Sequence, residues 1–94
     1  MHVISRKKLK DAAATHSGLE SALETWFRVV KGASWCSLED VRQVYPHADQ
    51  VDGYTVFNIK GNSYRLIAKM EYKWQKVFIK HVLTHREYDK GDWK

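Results

Sequence analysis

Residues Tyr64–Tyr88, YRLIAKMEYKWQKVFIKHVLTHREY, decide how this chain is read. From Tyr64 the even positions carry Tyr64, Leu66, Ala68, Met70, Tyr72 and Trp74. The odd positions carry Arg65, Ile67, Lys69, Glu71 and Lys73. Side chains alternate between the two faces of a strand, so this pattern predicts one apolar face and one face bearing three cations. The next run, Val77–Leu83 (VFIKHVL), is rich in β-branched residues and reads as a mostly buried neighbouring strand. It gives way at Thr84–Asp89 to a polar exit segment dense in titratable groups, held at the end of a rigid scaffold.

Around this stretch, 94 residues predict a single domain, 1–94, able to bury one core. A hydrophobic fraction of 44% with 13% aromatics argues against disorder. No apolar run approaches the roughly 20 residues of a membrane span, and the opening MHVISRKKLKDAA holds no apolar stretch of signal-peptide length. Cys36, the single cysteine, excludes an internal disulfide framework and a cysteine-based zinc site. A cytoplasmic location is the default expectation.

The net charge of +5 is unevenly spread. Residues 1–59 hold seven basic and seven acidic side chains, whereas residues 60–94 hold nine basic and four acidic ones. The excess therefore sits with the strand pair. A one-sided positive field favours an anionic partner, and the interleaved Tyr and Trp side chains, on which bases can stack, favour RNA. A plain solvated surface is the competing account.

In chain order, Met1–Ile4 can add a strand, and Ser5 can cap a helix over about 6–15 with Leu9, Ala12 and Ala13 on one face. Ser17 and Glu20 fit a capping box. The following helix has apolar residues at 19, 22, 23, 26, 27 and 30, which makes Trp26 and Phe27 core anchors. Ser37 starts a shorter helix with Leu38, Val41, Val44 and Tyr45 on one side, stopped near Pro46. His47–Gly53 reads as a polar turn, Tyr54–Lys60 as a strand and Gly61–Ser63 as hairpin chemistry. The expected fold class is α+β, with two or three helices on an antiparallel meander and a short polar C-terminal tail.

The candidate basic surface comprises Lys60, Arg65, Lys69, Lys73 and Lys80. Lys60 and Arg65 flank the hairpin turn and can approach each other across its mouth. Lys69 and Lys80 lie on strands expected to pair. Arg65 can grip a phosphate through two parallel hydrogen bonds. Lysines on strands also serve merely to guard edges. His81 shares parity with Val77, Ile79 and Leu83, which predicts a half-buried, satisfied histidine. His85 is the better chemical candidate, since imidazole exchanges a proton near neutral pH. Their spacing of four suits metal ligation only on a helix, and no Cys or carboxylate set completes a site. Tyr88 and Asp89 follow closely; the bland account has Tyr88 packed on the sheet and Asp89 capping a terminal turn. No nucleophile elbow, phosphate-binding glycine loop or paired-carboxylate pattern is present.

The segments MHVISRKKLKDAA, VFNIKGNSYRLIAKM and VFIKHVLTHREYDKG together resemble the HigB branch of the RelE-like toxins of bacterial toxin–antitoxin systems. The resemblance covers nearly the whole chain. It implies a microbial-RNase-like fold and a metal-independent mRNA endonuclease, without cofactor, acting on codons in the ribosomal A site. In that chemistry a 2′-hydroxyl attacks the adjacent phosphate, which requires a base, cations for the developing charge and an acid for the leaving 5′-oxygen. By the same resemblance Arg65 holds the scissile phosphate, and Lys60 falls near the family's lysines before the hairpin turn. His85 and Tyr88 occupy the place of the last catalytic groups, serving proton transfer and base stacking. Arg86 replaces or supports a cation, and the partner implied is a HigA-type helix-turn-helix antitoxin. Two alternatives use the same residues: a non-catalytic RNA- or ribosome-binding module, and a basic protein-interaction domain.

Overall fold

The computed structural model describes Met1–Lys94. Its elements run β1 (His2–Ile4), α1 (Lys7–Thr15), α2 (Glu20–Gly32), α3 (Leu38–Val44), β2 (Asp49–Val51), β3 (Tyr54–Ile59), β4 (Tyr64–Glu71), β5 (Lys76–Thr84) and α4 (His85–Lys90). The strands form one five-stranded sheet in the order β1-β5-β4-β3-β2. The meander β3-β4-β5 is antiparallel as the alternation predicts. β1, however, pairs in parallel with β5, His2 opposite Lys76, so the sheet is mixed. β2 adds an edge strand in the segment read as a polar turn.

One irregularity sets the facing of β5. Ile67 pairs with His81 but Ala68 pairs with Ile79, which leaves Lys80 as an unpaired bulge residue. An extra residue in one strand of a pair inverts the alternation beyond it. Val77 and Ile79 therefore face the main core together with Val82, whereas Leu83 packs on the other side. His81, expected beside Val77 and Ile79, is instead exposed. Its pKa is lowered, first by desolvation and then by the neighbouring charges of Lys8 and Lys80.

The helix-facing core follows from the 3.6-residue stripe of α2. Leu23, Trp26 and Val30 are buried with Leu19, and Trp26 meets Phe57 edge-on at 5.4 Å between centroids. Leu9 and Ala12 of α1 and Val41 of α3 close this layer. The amino group of Met1 donates to Val30 O at 3.1 Å, Lys31 O at 3.1 Å and Ala33 O at 2.6 Å, placing a cation on the C-terminal carbonyls of α2. Val44 departs from the expected apolar side and is 51% exposed. It lies about 100° around the helix from Tyr45, and α3 ends before another turn could cover it.

Helix starts differ from the sequence reading in an informative way. Ser5 takes a left-handed φ of 73° and Arg6 precedes α1 without a side-chain cap. Ser17 and Glu20 form no box, because Gly18 turns with φ 81° and buried Leu19 occupies the cap position of α2. The capping box forms at Thr84 and Glu87: Glu87 N–H donates to Thr84 Oγ1 at 3.1 Å, and Thr84 N–H donates to Glu87 Oε1 at 2.9 Å. The polar exit segment is thus a helix, stopped by Gly91 with φ 75°.

That helix folds back over the sheet face opposite α1 and α2. Trp93, Val56 and Ile67 form a small second cluster with Tyr54, Leu83 and Tyr88 packed against it. The odd-numbered side of β4 is therefore partly roofed, and Arg65 and Ile67 on it are buried.

Two outcomes follow. Trp26→Ala removes the largest fully buried side chain and costs about 3–5 kcal/mol, read as a lowered urea midpoint. Thr84→Ala costs about 1 kcal/mol. The Glu87 carboxylate has its pKa lowered chiefly by the backbone hydrogen bond from Thr84. Its stabilisation is therefore complete above the ordinary value of 4.5 and is lost as pH falls through the lower folded value. NMR signals of α4 should broaden or shift over that acidic window in the parent chain, and Glu87→Gln should flatten the dependence.

Candidate active site

The start of β4, the end of β5 and the first turn of α4 meet at one end of the sheet. Tyr64 pairs with Thr84, and the N–H of His85 donates to Ser63 O at 3.0 Å. This backbone bond ties α4 to the β3–β4 turn and brings residues far apart in sequence into one neighbourhood.

Arg65 lies there, only 9% exposed. Its Nη1 donates to the carbonyls of Asn62 and Tyr64, both at 3.2 Å, and its Nη2 donates to Asn62 Oδ1 at 2.6 Å. The guanidinium carbon stands 5.5 Å from the centroid of the Tyr88 ring. All its protein acceptors are neutral, and its charge is not matched by any carboxylate ion pair. A cation so held keeps its field available to an anion.

Tyr88 is fixed from its other side. Trp93 stacks on it at 5.2 Å with 16° between planes, donates its indole N–H to Tyr88 O at 3.0 Å, and touches Tyr54 edge-on at 6.2 Å. His85 sits one turn earlier, with Nδ1 2.9 Å from Asp89 Oδ2 and both side chains about half exposed. A carboxylate on Nδ1 orients the ring and leaves Nε2 free to face a substrate. Arg86, exposed on the same turn, forms no ion pair.

Lys60 lies elsewhere on this end. It takes φ 53° at the turn. Its ammonium points toward the α1–α2 connection, 2.9 Å from where a Cβ on Gly18 would stand. The remaining expected cations disperse. Lys69 is four residues along β4 from Arg65, about 13 Å by strand rise, and its ammonium is 3.6 Å from Glu71. Lys73 lies past the far end of β4 with its ammonium 5.2 Å from the centroid of Trp74, which is itself 65% exposed. Lys80 is the bulge residue; its carbonyl accepts from Lys8 Nζ at 2.9 Å. Lys69 lies opposite Phe78 rather than Lys80.

Several residues of this end had no sequence signal or an unused one. The His85–Asp89 pair has helical i, i+4 spacing, legible once Thr84–Glu87 is taken as a capping box. Asn62, Ser63 and Trp93 matter only through tertiary contacts. His16, whose ring lies 5.0 Å from that of Tyr64, is isolated in the sequence. No group of three His, Cys, Asp or Glu side chains converges as a metal ligand set, and no helix is long and apolar enough to cross a membrane.

Comparison with known proteins identifies the family. The family profile described as HigB_toxin, RelE-like toxic component of a toxin-antitoxin system, matches residues 19–91. The mRNA interferase toxin HigB of Escherichia coli strain K12 is 34% identical over 92 residues, spanning 95% of this chain and 88% of the relative. The mRNA interferase HigB of Shigella flexneri matches to the same extent. That of Escherichia coli O6:H1 is 30% identical over 93 residues, covering 96% of this chain and 90% of the relative. With an α+β fold of four helices and one mixed sheet, and a match over most of its length, this chain belongs to the HigB toxin family, the RelE-like toxic component of a toxin–antitoxin system whose counterpart is an antitoxin.

Proposed function

We propose that residues 1–94 act as one toxin domain that inhibits translation by cutting mRNA in the ribosomal A site, in the cytoplasm. The similar proteins named mRNA interferase support the activity. The observation that carries the site assignment is the His85–Asp89 pair at 2.9 Å, beside the Arg65–Tyr88 contact.

In the proposed reaction the 2′-oxygen bonds to the adjacent phosphorus and the bond from phosphorus to the 5′-oxygen breaks. A base takes the 2′-hydroxyl proton and an acid delivers one to the leaving 5′-oxygen. The products are a 2′,3′-cyclic phosphate and a free 5′-hydroxyl. His85 and Tyr88 are the proton-transfer groups of this reading, and no metal enters it. Arg65 supplies positive field to the phosphate as negative charge builds, and its hydrogen bonds to Asn62 spare it reorganisation. Lys60 and Arg86 hold flanking phosphates. Lys69, Lys73 and Lys80 extend a basic path over the sheet toward more distant RNA. The antitoxin is of the HigA type with a helix-turn-helix domain.

Induced expression in bacteria, with mapping of mRNA 5′ ends, tests this reading. The parent chain should arrest growth and produce new 5′-hydroxyl ends within codons. His85→Ala and Tyr88→Ala should each lower cleavage by about 10²–10⁴-fold while the protein stays folded. Arrest without new ends would instead indicate a non-catalytic RNA- or ribosome-binding module. Soluble protein that causes neither, with no antitoxin present, would overturn the proposal. Asp89→Asn should lower the cleavage rate less than His85→Ala and alter its pH profile, because it loosens the imidazole without removing it.

A further inference from the structure

On the helix side of the same sheet end, three contacts join the α1–α2 connection to the β3–β4 hairpin and α4. The ring of His16 meets that of Tyr64 at 5.0 Å with 60° between planes. The ammonium of Lys60 approaches Gly18 so closely that a Cβ there would stand 2.9 Å from it. His16 is also near enough to Glu87 to contribute to the depression of that carboxylate's pKa. Glu87 itself is committed to the Thr84 cap.

These contacts place two half-exposed aromatic rings and one exposed cation together, on the flank opposite the Arg65–Tyr88–Trp93 stack. Packing on the main core accounts for Tyr64, but not for His16 or Lys60. The His16 ring makes no side-chain hydrogen bond, and Lys60 forms no ion pair. Gly18, at φ 81°, lets the connection turn and leaves space for the lysine chain. Aromatic faces beside a lysine match the chemistry of a single-stranded nucleotide, whose base stacks and whose phosphate seeks a cation.

We propose that His16, Tyr64 and Lys60 form a second nucleotide subsite, in which one unpaired RNA base stacks on the His16–Tyr64 pair and its phosphate meets Lys60. This rests on the reading of the chain as an mRNA nuclease and adds a place for a nucleotide adjoining the one that is cut. Cleavage at the Arg65 end then requires the RNA to bend around the first turn of α4, between the two flanks.

The test measures affinity and chemistry separately. A short single-stranded RNA bearing a fluorophore is titrated against full-length protein carrying His85→Ala, which suppresses cleavage, with and without His16→Ala, His16→Phe or His16→Gln. Loss of the ring should weaken binding about tenfold, the scale of one stacked base, and His16→Phe should recover most of it whereas His16→Gln should not. His16 is only half buried, so circular dichroism and thermal melting should report native folding in all three. Each His16 substitution is then made in the parent chain, with His85 intact, and mRNA ends are mapped in cells. His16→Ala should reduce cleavage at limiting expression, with His16→Phe restoring it. Equal RNA affinity with and without His16→Ala in the His85→Ala protein, or a failure of His16→Phe to rescue a folded protein, would overturn the subsite. If the parent itself produces no new mRNA ends, the nuclease reading fails, whatever the His16 variants bind.

Discussion

The bulge at Lys80 governs what this sheet can do. Up to Ile79 the strand feeds the helix-packed core; beyond it the alternation inverts, and Val82 continues that core while Leu83 supports the opposite face. Without the inversion, Leu83 would point toward α1 and α2, and the C-terminal roof would lose one of its floor residues. With it, the end of β5 has apolar support on both faces just where the chain turns into α4. The bulge thereby links a stable core to a positioned helix, and the His85–Ser63 bond completes the link.

Much of the fold was legible because it rests on periodicity. The stripe of α2 identified Leu19, Leu23, Trp26 and Val30, and the alternation of β4 identified its core side. What was not legible depends on non-local pairing. A run such as VFIKHVL has no local mark of where a residue will be left unpaired, so parity groups His81 with Val77 and Ile79 whereas the bulge turns it to the other face. The parallel docking of β1 is likewise invisible in a three-residue segment. Thr-His-Arg-Glu at 84–87 carries the same capping-box pattern as Ser17–Glu20. The difference lies in burial: Leu19 is drawn into the core and starts α2 two residues late, whereas nothing displaces Thr84 from its cap.

The candidate site shows the same division. His85, Tyr88 and Arg65 were picked out by residue type and by family resemblance, and they do come together at one end of the sheet. The groups that hold them did not announce themselves. Asn62 and Trp93 acquire meaning only when the hairpin turn and the C-terminal segment close over Arg65 and Tyr88. Charge count also proved a poor guide to location: Lys73 contributes to the excess of the C-terminal half yet sits beyond the opposite end of β4. A positive field spread this way can guide a polyanion to the molecule over a distance of about one Debye length, but it does not mark the reacting centre.

The pairing of β1 with β5 also orders events in time. His2 finds its partner Lys76 only after the residues between them have been made, and α4 follows later still. Contacts so distant along the chain form late and bear the full entropy of closing the loop between them. A polypeptide still being synthesised thus has neither a finished sheet nor the helix that holds His85 and Tyr88. Topology alone postpones assembly of the candidate centre until translation of this segment is almost over.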